Sequence, residues 1–281
     1  MAIIVNTNVS ALKTQNNLTM ATNSLSKALE RLSTGLKINS AADDAAGYFV
    51  AAKLSTQISG SKVASSNVAT GINVLQTAEG TLDVVEDNIT RIRDLAVQAA
   101  NGIYDTDSLT AMQNEVTARL AEIKRVQTAA DFNGIKLFSA TAGLGKDGLI
   151  LQVGANAAAA ENQIKIEKAS FAEVTLTADV SSNSGATAAI TACDTALKTI
   201  ATRKAEMGAV QNRLSSAQDA LMTTIENASA ALSTIMDADI AEETSNYTKA
   251  QILQQTSSTL LIQANNLPSI ALTLILSLIH I

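Results

Sequence analysis

The chain has 281 residues and is 47 % hydrophobic but only 2 % aromatic, with no Trp, three Tyr and four Phe, so its apolar mass is mostly Ala, Leu, Ile and Val. One His (His280) and one Cys (Cys193) leave no basis for a His/Cys zinc site, a Ser-His-Asp triad, a Cys-His dyad or an internal disulfide. A net charge of −6 lacks the basic stripe that a nucleic-acid partner requires.

The first forty residues carry an apolar stripe. Leu18, Leu25 and Leu32 recur every seven residues, and Leu29 and Leu36 fall four after Leu25 and Leu32, the spacing of a coiled-coil seam. Gly35 and the small-residue turn 39–47 interrupt it. A longer stripe, Val68, Ile72, Leu75, Leu82, Val85, Ile89, Ile92 and Ala96, predicts a second helix that stops at Asn101-Gly102 on a left-handed glycine. A third, Leu109, Met112, Val116, Leu120, Ile123 and Gln127, starts where Asp107 or Ser108 would cap it. The short loop between the two makes them antiparallel neighbours.

From Asp131 the period changes. Phe132-Asn133-Gly134 reads as a turn, and Leu149, Leu151 and Val153 alternate, as do Ile164 and Ile166. A hairpin region is expected at about 135–178, with turns at 143–148 and 154–160, and Ser181 to Gly185 reads as a flexible loop. Leu214, Leu221, Ala228 and Ile235 then recur in sevens, with Ile225 and Leu232 in the alternate positions. After Asp237-Ala238-Asp239 a last helix runs from about Ala241 through Leu253 and Leu260 to Ala264. The expected fold is mainly α, a long antiparallel helical rod with coiled-coil terminal helices and a small β-hairpin region.

The terminal stripes are narrow and Ala-rich. Ordering a backbone costs about 1–2 kcal/mol per residue, and stripes this thin recover little area, so these helices look to partners and the chain reads as an assembling protein. Leu25, Leu29, Leu32, Leu36, Leu253 and Leu260 are the expected polymerisation seams. The opening Met1–Asn6 lacks a basic segment and a long apolar run, so a Sec-type signal is not expected. The apolar run Ile270–Ile281 would span about 18 Å as a helix against about 30 Å of hydrocarbon. It is expected as a partner-packed helix end, without stable membrane insertion.

Other motifs read as structure. Gly143 to Gly148 fits G-x-G-x-x-G, but a strand follows where a dinucleotide site needs a helix. Asp43-Asp44 reads as a turn or helix cap, Glu79, Asp83, Glu86 and Asp87, and Glu242-Glu243 near the end, as solvated or partner-facing flanks beside the apolar seams, and Cys193 as a small buried residue. No cofactor, metal or catalytic set is expected. Arg91, Leu95 and Gln98 share one helical face, where an exposed Leu flanked by polar residues would make an interface anchor.

The opening MAIIVNTN, Leu29 to Gly35 (LERLSTG), Ile38 to Gly47 (INSAADDAAG), Leu75 to Gly80 (LQTAEG), Ile92 to Asn101 (IRDLAVQAAN) and Phe132-Asn133-Gly134 resemble bacterial flagellins. Gly208 to Leu214 (GAVQNRL) and Ile252 to Asn265 (ILQQTSSTLLIQAN) are similar to that family's carboxyl-terminal signature. The resemblance covers roughly residues 1–140 and 195–268. It implies a filament subunit for motility, exported unfolded through the flagellar type III apparatus with a dedicated chaperone, and assembled extracellularly at the distal tip. Its partners would be other copies of itself, the hook-associated junction proteins and the cap. It further implies a core domain from residues 1–44 and 241–281 and a rod domain from 45–180 and 188–240. Residues 181–187 would be the flexible loop where longer members insert outer domains, which makes this a minimal form. Arg91, Leu95 and Glu115 match residues that an animal Toll-like receptor recognises, with Thr90 where the family often has Gln. Ser181, Ser182, Ser184 and Thr187 are candidate O-glycosylation positions, and Ser277 to Ile281 extends past the family's usual end. The competing readings are a hook–filament junction protein and a secreted membrane-active translocator.

Overall fold

The structure is a computed structural model that describes residues 7–139 and 141–280 and, apart from Ala159 and residues 267–280, their side chains. The expectation for the apolar run Ile270–Ile281 therefore lies outside the described side chains. Five long helices dominate: α1 (Val9–Thr34), α2 (Ala45–Ala99), α3 (Thr106–Ala129), α6 (Asn183–Met236) and α7 (Ile240–His280). Two one-turn helices, α4 (Leu144–Asp147) and α5 (Ala159–Asn162), accompany two small hairpins, β1–β2 (Asp131–Phe132, Ile135–Lys136) and β3–β4 (Leu149–Gln152, Gln163–Ile166). The chain forms two compact units, residues 1–55 with 228–281 and residues 56–227. The divisions fall inside α2 and α6.

In the second unit, α2 buries one unbroken row: Ser61, Ala64, Val68, Gly71, Leu75, Ala78, Leu82, Val85, Ile89, Ile92, Ala96 and Ala99. Its steps alternate between three and four, so every member stays on one face. Gly71, not the expected Ile72, holds its place in that row because Leu151 of β3 packs on it; a Cβ there would sit 2.3 Å from Leu151 Cδ1. The matching row of α6 is Ala186, Ala189, Cys193, Ala196, Ile200, Met207, Leu214 and Leu221. Burial pushes the Cys193 thiol up. The two helices run antiparallel. Arg93 meets Asp194 at 2.6 Å, Lys204 meets Asp83 at 2.6 Å and Glu86 at 2.9 Å, and Gln211 donates to Glu79 at 3.2 Å. The acidic flank of α2 thus faces a partner within the same chain.

A second row on α2, Val74, Asn88 and Leu95 in multiples of seven, is also buried. It faces α3, whose Arg119 donates to Asn88 Oδ1 at 3.2 Å. α3 starts at a cap made by Asp105, whose Oδ1 accepts from Ser108 N at 3.0 Å, two residues before the expected Asp107. The end of α2 needs no left-handed glycine: Asn101 N bonds Gln98 O at 3.2 Å in a tightened last turn, and Asn183 Nδ2 bonds Ala100 O. Gly102 is absent from the positive-φ residues.

The hairpin region is shorter than expected. Asn133 and Gly134, both at positive φ, make the two-residue turn of β1–β2. The β3–β4 pair places Leu149 opposite Ile166 and Leu151 opposite Ile164. Residues 143–148 and 154–160, expected as turns, include α4 and the start of α5. Gly143 and Gly148 have positive φ, and a Cβ on Gly145 would fall 2.4 Å from Ser139 O and 2.8 Å from Phe171 O. These glycines serve close backbone packing.

Beyond a short turn at Lys168–Phe171, residues 172–180 run extended without a strand partner. Side chains of α3 bond part of this backbone, and Arg203 of α6 donates to Ala172 O. Gln127 accepts from Val174 N at 2.7 Å and donates to Val174 O at 3.1 Å, and Gln113 accepts from Val180 N at 2.7 Å. Fourteen helical residues rise about 21 Å, and six extended residues cover about 20 Å, so the two glutamines match the segment they hold. The expected flexible loop 181–187 is mostly helical, because α6 begins at Asn183 with Ser182 Oγ accepting from Gly185 N at 3.2 Å.

In the first unit, α1 ends at Gly35 (φ 71), whose N–H reaches Arg31 O at 2.8 Å. Asp43 Oδ2 then accepts from Asn39 N and Ser40 N, while Oδ1 pairs with Lys27 at 2.7 Å. Asp44 Oδ1 caps α2 through Ala46 N and Gly47 N. Both acids are structural, as the sequence suggested. The Lys27 ammonium and the loop N–H groups hold the Asp43 carboxyl down to about 2.

Two outcomes follow from these contacts. Gln127→Ala strands the buried Val174 N–H and C=O and is expected to cost about 1–3 kcal/mol, read as a lower urea midpoint. Because the Asp43 carboxyl sits below its ordinary 3.8, its contribution to stability is full above that value and disappears as pH falls through about 2. Asp43→Asn is expected to flatten that part of the acid-unfolding profile.

Candidate assembly surface

Both ends of the chain meet in the first unit. Asn8 caps α1, its Oδ1 accepting from Ala11 N at 3.0 Å, and its Nδ2 donates to Ala264 O at 2.7 Å. Further along, Gln254 Nε2 reaches Thr22 Oγ1 at 3.5 Å and Arg31 Nη1 bonds Glu243 Oε1 at 2.7 Å. Leu36 bridges Asp237, with Lys37 N donating to Met236 O at 2.6 Å and Ala238 N to Gly35 O at 2.9 Å. As one number rises the other falls, so α1 and α7 are antiparallel over their described lengths.

Their seam is a heptad alternation of small residues. On α1, Ala21 and Ala28 are buried, and Ala11, Thr14, Leu18, Leu25 and Leu32 are half-buried beside them. On α7, Glu243, Ala250, Ser257 and Ala264 are buried at seven-residue intervals, with Tyr247, Gln254 and Leu261 half-buried between. Ala and Ser let the backbones approach, and Cα atoms of the two helices come within 8 Å of each other along the pair.

The expected seam leucines divide. Leu25 and Leu32 lie on this seam and Leu36 lies at the strand-like crossing. Leu29 is 56 % exposed, Leu253 48 % and Leu260 49 %, so these three lie outside the contact between α1 and α7. The cause is the neighbouring row: Ala28, Ala250 and Ser257 occupy the inward positions, which turns the adjacent leucines outward. Leu253 and Leu260 instead join Met20 along a groove of about 690 Å³ floored by Ala21, Ala28 and Ala250. Sequence reasoning placed Glu243 on a flank beside the seam and missed the buried row it forms with Ala250, Ser257 and Ala264, although the seven-residue spacing carried the signal.

In the second unit, Arg91 Nε and Nη2 reach Glu115 at 2.9 and 3.4 Å, and that guanidinium holds the Glu115 carboxyl below the usual range. Leu95, expected as an exposed anchor, is only 4 % exposed. It belongs to the α2 row facing α3, whereas Arg91 lies at the rim of that contact. Gln98 donates to Tyr104 Oη at 2.9 Å. Ser181, Ser182, Ser184 and Thr187 are all exposed. Ser181 donates to Asp179, and Thr187 to Asn183 O. Among the described residues there is no cluster suited to a metal ion and no helix long and apolar enough to cross a membrane.

Comparison with known proteins gives these helices a context. The pattern of the bacterial flagellin N-terminal helical region matches residues 5–142, and that of the C-terminal helical region matches residues 190–275. A flagellin of Halalkalibacterium halodurans is 36 % identical over 275 residues, covering 97 % of this chain and 100 % of that protein, so the short form is shared. A flagellin of Bacillus subtilis is 36 % identical over 96 % of this chain and 99 % of its own length. A Vibrio parahaemolyticus protein described as flagellar hook-associated has the same fold, with a TM-score of 0.57 at 16 % identity over 69 % of this chain and 100 % of its own. Matches of this length and identity to flagellins show that the chain belongs to the bacterial flagellin family and is a structural subunit of the flagellar filament.

Proposed function

We propose that α1 and α7 form the assembling core of the filament, residues 1–44 with 241–281, and that residues 45–180 with 188–240 form a surrounding rod. The observation that supports this is the row of outward leucines. Leu29, Leu253 and Leu260 flank an Ala-floored groove or lie on the same helix pair, and a subunit that repeats has identical copies available to cover them. The second unit has its own core, built on the two buried rows of α2, and can fold before assembly. An extracellular homopolymer with a purely structural role, and no enzymatic one, is the reading this supports.

The same family membership supports export in the unfolded state through the flagellar type III apparatus with a chaperone, and contacts with the cap and the hook-associated junction proteins. Helices held by narrow Ala rows suit that route, since little packing is lost on unfolding them. The junction-protein alternative has only a shared fold behind it at 16 % identity, whereas the full-length matches at 36 % are flagellins. The Arg91–Glu115 pair is the accessible part of the proposed Toll-like receptor site, and Leu95 supports it from within. Sugar attachment at Ser181, Ser182, Ser184 or Thr187 is supported by their exposure.

Two measurements test these assignments. Burying a leucine is worth about 1.5–3 kcal/mol, so Leu253→Ala with Leu260→Ala is expected to raise the critical concentration for seeded assembly at least tenfold while the helical content of the monomer is unchanged; unaltered assembly contradicts the core assignment. In a receptor reporter assay, Arg91→Ala and Glu115→Ala are expected to weaken signalling, and unchanged activity in both rejects the site.

A further inference from the structure

A heptad seam repeats itself. Sliding α7 by seven residues along α1 exchanges Ala250, Ser257 and Ala264 for one another and keeps the small-residue row in place. Little in the packing of Ala21, Ala28, Ala250 and Ser257 distinguishes one register from the next. Main-chain contacts hold the two ends of the pair: Asn8 donates to Ala264 O, and the crossing joins Lys37 to Met236 and Gly35 to Ala238. Thr22 and Gln254 form a neutral contact at the 3.5 Å limit.

One seam position breaks the repeat. Glu243 occupies the place that Ala250, Ser257 and Ala264 fill in the following heptads, and its side chain is only 9 % exposed. Its partner Arg31 is 24 % exposed, donates to Glu243 Oε1 at 2.7 Å, and has a buried Nε without a hydrogen-bond partner. Lys27 and Lys249 line the same groove, and Lys27 is already engaged by Asp43 at 2.7 Å. A buried ion pair left incompletely satisfied is a poor source of stability, and its best-attested use is to select one register of a helix pair.

We propose that Arg31 and Glu243 are the register-determining pair of the α1–α7 coil, a positioning element for filament assembly that sits in the groove beside the outward leucines. This rests on the reading of α1 and α7 as the assembling core. Slid one heptad toward the start of α1, Glu243 falls opposite Ser24 and Arg31 passes the start of α7; slid the other way, Glu243 passes the end of α1 and Arg31 falls opposite Ala250. Either slide leaves two buried charges apart, a penalty that the Ala row does not impose. One register sets one spacing of Leu29 against Leu253 and Leu260, and a helical lattice requires that spacing to be identical in every copy.

Thiol cross-linking in filaments of the full-length chain tests this. In a Cys193→Ala background, Thr22→Cys with Gln254→Cys reports the native register, and Thr22→Cys with Leu261→Cys or with Tyr247→Cys reports a slide in either direction. A short bifunctional maleimide is applied and products of monomer mass are analysed. The native pair alone is expected to link when Arg31 and Glu243 are present. Glu243→Gln is expected to raise the slid products at least tenfold, and Arg31→Glu with Glu243→Arg to restore the native pattern. Native-only linking in Glu243→Gln filaments overturns the proposal. If Glu243→Gln does not polymerise, the reversed pair decides: recovery of filaments with native linking supports register selection, and failure to recover overturns it. Filaments of the parent chain that give no link between positions 22 and 254 contradict the α1–α7 core itself, a result distinct from failure of the register pair.

Discussion

Each terminal helix has one narrow row of small side chains to bury, and the rest of the molecule follows from that constraint. Ala21 and Ala28 against Ala250, Ser257 and Ala264 bring two backbones close but remove little area from water. The larger apolar residues lie one position off the row, and Leu29, Leu253, Leu260, Ile252 and Met20 face outward. A helix pair of this kind is incomplete as a monomer. The same arrangement that weakens it alone supplies the surface through which copies of one chain can meet.

The second unit solves the opposite problem. α2 buries two rows, one toward α6 and one toward α3, and the hairpins and the extended segment 172–180 close over them. Val68, Leu75, Leu82, Ile89 and Ile92 leave no exposed area, and charged pairs such as Lys204 with Asp83 and Glu86 line the edges. Partners raise the Lys204 ammonium further above its ordinary value. One long helix can thus take part in a self-sufficient core over most of its length, while the chain ends stay dependent on others.

The long helices were legible because apolar periodicity survives wherever Leu, Ile and Val mark the row. The Asn133-Gly134 turn was legible because few residue pairs tolerate two positive φ values in succession. Leu25 and Leu32 were read on the α1–α7 seam, where they lie, whereas Leu29, Leu253 and Leu260 lie beside it. Leucines dominate a hydrophobicity count, whereas the deciding residues are alanines whose value is that they permit approach. Leu95 was misplaced because a single stripe was allowed to α2, and two rows offset by three residues look like noise around one. Gln127 was read on the buried stripe of α3, but its bonds to Val174 and those of Gln113 to Val180 depend on a segment 47 and 67 residues away, which periodicity does not place. Arg31 and Glu243 lie 212 residues apart, and only the antiparallel register brings them together.

An electron-microscopic reconstruction of the polymerised chain, at a resolution that shows side chains, tests the central claim most directly. The account predicts that Leu29, Leu253 and Leu260 lie in van der Waals contact with neighbouring copies while Arg31 remains paired with Glu243 of its own chain. A filament in which those leucines face solvent, or in which α1 and α7 of one chain are apart, would contradict it.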